Sequence, residues 1–211
     1  MTIFAMMVAL LAWQEDVDSV LEKMGKASTG TRTMVAGYEQ VKTLSLLDEE
    51  TYTRGRMYFD RKSGTTRWQA EDGTIQQLEK DRYIAVFPGL KEVEIYSLKE
   101  KGATFAALLG SPDAGVLKED FVISLGPRTG KSIELILLPR KDFLKKRIRE
   151  ARLRLDTKTH RVREAAFTEL NGDALLIRIR ETKRNEPLPD GTFDLDLDDL
   201  RTKGYNIREH K

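Results

Sequence analysis

The feature that most constrains this chain is a change of hydrophobic period at Met34. From there short alternating runs separated by tight-turn residues continue almost to the C-terminus. Successive side chains of a strand point to opposite faces, so a period of two sustained over such runs predicts strands. The runs are 35–47, 51–59, 65–71, 74–79, 82–87, 91–96, 121–125, 132–138, 148–156, 162–169, 174–183 and 193–197. Lys62-Ser63-Gly64, Asp72-Gly73 and Pro88-Gly89 separate several of them, and such tight turns imply antiparallel pairing. Ala151, Leu153 and Leu155 alternate with Arg152 and Arg154, while Leu175, Ile177 and Ile179 alternate with Leu176, Arg178 and Arg180. One face is apolar and the other largely cationic, the pattern of a strongly bent sheet of roughly ten strands with a dry inside and a wet outside.

A sheet with one apolar face needs a cover. Residues 16–27 carry Val17, Val20, Leu21 and Met24 at helical spacing and end in a Ser28-Thr29-Gly30-Thr31 cluster, which predicts an amphipathic helix. Residues 98–109 predict a second, with Phe105, Leu108 and Leu109 along one side and Gly110-Ser111-Pro112 ending it. The expected class is therefore α+β, with two helical segments on the apolar face of the sheet.

Ahead of the first helix, Ile3 to Trp13 is uncharged and apolar. That run is too short for a membrane span of ~20 residues, and it fits the ~7–15-residue core of a secretory signal, with small Ala9 and Ala12 near its end. Residues 1–13 are thus expected to be a signal peptide and 14–211 a single domain. Lys plus Arg total 36 against 34 Asp plus Glu, so the net charge of +2 gives no general pull toward nucleic acid. The absence of cysteine excludes disulfides, thiolate metal sites and a thiol nucleophile.

Four constellations invite a chemical reading, and three of them point away from catalysis. Gly126-Pro-Arg-Thr-Gly-Lys-Ser132 is one residue short of a phosphate loop and leads into a β run rather than a helix, so a hairpin loop is expected and no nucleotide site. His160 and His210 have no His or carboxylate at ligand spacing, and no nucleophile elbow is present, so no metal and no enzyme activity are expected. The basic stretch from Arg140 to Arg154 has only Phe143 for base stacking and reads as a solvated outer face, the alternative being docking to an acidic protein partner or to anionic lipid headgroups. The fourth is a set of bulky apolar residues assigned to the inside of the sheet: Tyr38, Met57, Phe59, Trp68, Ile84 and Val86, joined by Phe105, Leu108 and Leu109. Periodicity alone leaves open whether they fill a core or line a hollow.

The order of the segments resembles the LolA family of periplasmic lipoprotein carriers. After the signal and helix comes an aromatic-x-Gln strand, Tyr38-Glu39-Gln40. The block Gly55-Arg56-Met57-Tyr58-Phe59-Asp60-Arg61-Lys62, followed by Arg67-Trp68, carries most of the likeness. Later matches are Leu135 to Pro139, Leu153 to Asp156, Leu170-Asn171-Gly172 and Phe193-Asp194-Leu195. The resemblance implies an incomplete β-barrel closed by the N-terminal helix and a mid-chain helical lid, with an apolar cavity for acyl chains and no cofactor. It implies acylated lipoproteins or other acyl lipids as ligands, loading by an inner-membrane ABC transporter and delivery to an outer-membrane receptor. In such carriers an Arg after the second strand holds the lid shut. Arg61 is the matching position, although Lys62 stands where the family has Pro, and Arg67 is the rival. The alternative is a LolA-like envelope sensor or lipid-binding module that takes no part in transport.

Overall fold

A computed structural model describes residues 16–98, 108 and 112–210 of the chain. The predicted signal segment lies outside the described residues, as does most of the predicted mid-chain helix, Phe105 and Leu109 included.

The chain opens with helix α1 (Val17–Thr29), started by Asp16, whose carboxylate accepts the Ser19 amide at 2.7 Å and so satisfies one of the free N–H groups of the first turn. Six strands follow: β1 (Thr33–Leu44), β2 (Glu49–Asp60), β3 (Thr65–Ala70), β4 (Ile75–Leu78), β5 (Arg82–Phe87) and β6 (Glu92–Ser97). After the undescribed stretch come α2 (Ala114–Asp120), β7 (Phe121–Arg128), β8 (Ser132–Pro139), the single turn α3 (Asp142–Lys145), β9 (Ile148–Asp156), β10 (Val162–Glu169) and β11 (Ala174–Arg184). A loop then leads to α4 (Leu197–Thr202) and β12 (Asn206–His210).

Among the described residues, twelve strands join one open sheet in the order β12-β6-β5-β4-β3-β2-β1-β11-β10-β9-β8-β7. Pairing is antiparallel throughout except for β6 with β12, which run parallel. The first strand thus sits mid-sheet and pairs with both β2 and β11, so the two meanders hang from a common centre. Gly55 on β2 is held there by space: a Cβ would collide with the Gln69 carbonyl and lie 2.8 Å from the Ala70 Cα. Only glycine lets β2 and β3 approach this closely at that point.

Two buried clusters occupy the inner face. In the first, Val20, Leu21 and Met24 of α1 pack with Leu117 of α2 and with Leu135, Leu137, Leu153, Leu155 and Phe167 of the β8–β10 half. Helices α1 and α2 approach closely, with Gly25 facing Ala114 and Lys118 bridged to Asp18 at 2.8 Å. In the second, Met34, Ala36 and Tyr38 of β1 meet Met57 and Phe59 of β2, Trp68 of β3 and Leu78 of β4.

A third cluster changes the expected picture. Ile84, Val86 and Val93 are covered by Leu195, Leu197, Leu200, Tyr205 and Ile207. Register puts them on the side opposite Trp68, since Trp68 aligns with Gln76 and Gln76 with Ala85, not with Ile84 or Val86. The segment 185–205 is therefore a strap over the outer face, and this part of the sheet is buried on both sides. The predicted final strand 193–197 is loop and helix start instead. Asp196 caps α4 by accepting the amides of Asp198 and Asp199, which turns the chain into a helix where a strand was expected.

Over the other half the outer face is wet. Arg152 and Arg154 flank the nearly buried Glu134, both at 3.4 Å, and Arg154 also bonds Glu164. Arg178 reaches Glu164 at 2.9 Å, and Arg180 reaches Glu39 at 2.8 Å. The cationic stripe seen in the sequence is one side of a cross-strand ladder of ion pairs, as its reading as a solvated face requires.

Candidate functional site

Four of the nine apolar residues singled out in the sequence, Tyr38, Met57, Phe59 and Trp68, come together on the inner face between β1 and β3. Leu108 is buried in the neighbouring cluster beneath α1. Ile84 and Val86 do not join them. They lie on the outer face under the strap, because β5 is apolar at both parities and a period of two does not tell its sides apart. Phe105 and Leu109 lie outside the described residues. Met34, Ala36, Leu78 and Leu98 complete the inner cluster and were not singled out beforehand. Their signal was available in the parity of Met34 and Ala36 with Tyr38. The Tyr38 phenol is pushed up to about 12, chiefly by burial, with Asp72 and Glu71 adding to the effect. Burial likewise raises that of Tyr83.

The two candidate arginines sit in different places. Arg61 follows β2 and reaches back to the C-terminal end of α1, where its Nη2 donates to the Ser28 carbonyl at 2.6 Å and its Nε to the Thr31 carbonyl at 2.8 Å. The last carbonyls of a helix have no partner within it and carry the negative end of the dipole, so a guanidinium there is both donor and counter-charge. The same guanidinium lies 5.5 Å above the Phe59 ring. Arg61 thus ties the covering helix to the rim of the sheet. Arg67 points the other way: its Nε donates to Gln77 Oε1 at 2.7 Å and its Nη2 to the Asp194 carbonyl at 2.9 Å. It fastens the outer strap and touches no covering helix of the inner face among the described residues. Burial pushes its guanidinium down, against the pull of Asp194 and Glu79.

Beside the helix end bound by Arg61 is a cavity of about 50 Å³. Met24 and Ala27 of α1 form one wall, Met34, Val162 and Ile179 of the sheet another, and Arg161, Arg184 and His160 the mouth. A larger depression of about 360 Å³ lies between Leu188–Asp194 and residues Thr33 and Asp60. It is an open furrow beside the strap, lined by Asp60, Asp190 and Asp194 as well as Leu188 and Phe193, and no residue of α1 borders it, so the smaller cavity, which adjoins both α1 and the inner face, is the better candidate. The glycine-rich segment 126–132 spans the end of β7, the turn at 129–131 and the start of β8, with the Thr129 amide bonded to the Ser132 carbonyl at 2.8 Å.

The family model described as outer membrane lipoprotein carrier protein LolA matches residues 29–196. The chain belongs to the LolA family. The match runs from the end of α1 to the strap and stops just before α4. Among solved structures, an uncharacterized conserved protein from Thermus thermophilus is similar over 92% of this chain and 98% of its own, with 11% identity and a TM-score of 0.55. A LolA superfamily protein from Nitrosomonas europaea overlaps with 86% of this chain and 98% of its own, at 12% identity and a TM-score of 0.46. The lipoprotein LppX of Mycobacterium tuberculosis overlaps with 82% and 98%, at 11% identity and a TM-score of 0.46. No curated protein sequence matches. At such identities the likeness to solved structures is one of fold. The LolA assignment rests on the family match, and the open twelve-stranded sheet with α1 across its inner face agrees with it.

Proposed function

We propose that this LolA-family chain is a periplasmic carrier. It takes up the acyl chains of lipoproteins between the inner face of the sheet and its covering helix, and moves them from the inner to the outer membrane. The observation that carries the reading is the family match over residues 29–196, read together with an apolar inner face over which α1 packs, its C-terminal end tied to the sheet by Arg61. No bond needs to be made or broken in such a role, and no metal or nucleotide takes part. Loading by an inner-membrane ABC transporter and release to an outer-membrane receptor complete the cycle.

The energetics are those of transfer. About fifteen methylenes taken out of water supply on the order of 12 kcal/mol, from which the cost of ordering the chain is subtracted. The cavity beside α1 holds only about 50 Å³, so an acyl chain enters as α1 swings away and the cluster below it opens. Each buried methylene then replaces a contact that α1 made in the closed state, and the two states stay within a few kcal/mol of each other, as loading and release both require. The test has two arms. Purified protein is titrated with a fluorescent fatty acid and with a diacylated lipoprotein, and capture of neither overturns the reading. Depletion in cells then separates transport from sensing: lipoproteins stranded at the inner membrane support the carrier, and normal sorting contradicts it.

A further inference from the structure

A group of cationic and polar atoms at or near the mouth of the cavity beside α1 is left without partners among the described residues. Arg161 Nε is buried and has no hydrogen bond to a described residue, and the same holds for Thr182 Oγ1, which does not line the cavity but lies two residues before Arg184 on β11. The side chain of Arg184 makes no hydrogen bond or ion pair with any described residue, whereas Arg152, Arg178 and Arg180 on the outer face are each matched to a carboxylate. Arg184 pairs in register with Met34, which places it on the same side of the sheet as the inner cluster. Burial, together with the nearby Arg161 and Arg163, lowers the Arg184 guanidinium to about 10. The carboxylate at hand is Asp156, 3.9 Å from Arg163 and already accepting the amides of Lys158 and Thr159. It serves Arg163 and leaves Arg161 Nε and Arg184 unmatched.

Buried polar groups in folded proteins are paired almost without exception, and an unpaired donor beside a second unpaired cation marks a place where a ligand completes the set. The opposite side of the same cavity is apolar, formed by Met24, Met34, Val162 and Ile179. Its volume of about 50 Å³ exceeds several-fold the ~10–15 Å³ that one water needs. A helix C-terminus repels anions, but here the Ser28 carbonyl is already engaged by Arg61, which also adds a positive charge next to the mouth.

We propose that Arg161 and Arg184, supported by the field of Arg163, bind the anionic headgroup of an acyl lipid, a phosphate or carboxylate, while its chain runs past Met24 and Ile179 onto the inner face. This rests on the carrier reading and narrows its ligands to amphiphiles with a negative charge close to the acyl chain. Planar guanidinium groups suit such oxyanions because they donate in a fork.

The test compares two probes with the same chain, lysophosphatidylglycerol and neutral monopalmitoylglycerol, by calorimetric titration below their critical micelle concentrations. Inorganic phosphate serves as a third probe. The wild-type protein is expected to bind the anionic lipid roughly tenfold to hundredfold more tightly than the neutral one, the span of one or two charge-assisted hydrogen bonds. Arg184→Gln and Arg161→Gln are expected to abolish that preference and leave the affinity for the neutral lipid unchanged. Arg184→Lys should retain part of it, and the thermal midpoint of Arg184→Gln should stay level or rise, because an unmatched cation has been removed. Equal binding of both lipids by the wild type overturns the headgroup site while the carrier reading stands. Binding of neither lipid removes both. Inorganic phosphate bound as tightly as the anionic lipid also overturns the proposal, since the site then belongs to a free anion.

Discussion

Arg61→Ala removes the fork that holds the C-terminal end of α1 to the rim of the sheet, and the size of the effect follows from the two bonds described. Each is charge-assisted, donated to a main-chain carbonyl at 2.6 and 2.8 Å. Such bonds contribute ~1.5–3 kcal/mol each when buried. Here the groups are half-buried, and the freed carbonyls regain water, so the lower figure applies and the pair is worth about 3 kcal/mol. For a domain of this size each kcal/mol moves the thermal midpoint by ~2–4 °C, so Arg61→Ala should melt ~6–12 °C below the parent. Arg61→Lys, with a single ammonium, should recover about half of that. If the tether also gates the interior, about 3 kcal/mol corresponds to a rise of roughly two decades in the open population, and stopped-flow capture of a fluorescent fatty acid should accelerate accordingly. A variant that melts within about a degree of the parent refutes the stability argument. A large loss of stability with an unchanged capture rate would show Arg61 to be a fastener and not a gate.

Arg67→Ala should behave differently: it orphans the Asp194 carbonyl and Gln77 Oε1 at the strap, costing about 2–3 kcal/mol in urea unfolding, and leaves the capture rate as it was. Gly55→Ala places a methyl group against the Gln69 carbonyl, and the main-chain shift it forces should cost about 3 kcal/mol, read as a lowered urea midpoint with an unchanged slope. Tyr38 predicts an alkaline signature. Its folded-state value of about 12 lies above the usual 10.0, so the unfolded chain loses the proton first, and stability present below pH 10 drains away as pH rises to 12. Tyr38→Phe should flatten that decline in urea midpoints measured across the window.

What could be read from the sequence depended on whether a residue's surroundings were local. Strands β9 and β10 fall on the predicted bounds because Ala151-Arg-Leu-Arg-Leu155 has one wet and one dry side, and the alternation states which is which. Tyr38, Met57, Phe59 and Trp68 were legible together for the same reason. Ile84 and Val86 were not, since β5 is apolar on both sides and the layer covering them arrives from a segment more than a hundred residues later. The two arginines show the same contrast. Arg61 and Arg67 lie six positions apart in similar basic contexts, and only three-dimensional register sends one to α1 and the other to the strap. The arginine pocket was invisible because Arg161 and Arg184 lie far apart in the chain and look like ordinary surface charge.

The parallel pairing of β12 with β6 has a consequence for how such a chain is made. Arg208 and Glu92, joined at 2.6 Å, are 116 residues apart, so β6 remains a bare edge and Ile84 and Val86 remain uncovered until residue 207 has emerged. A chain made N-terminus first therefore cannot settle its outer layer until residue 207 is available to pair with β6. The strap is a late latch, and it ties completion of the fold to the last strand to be made.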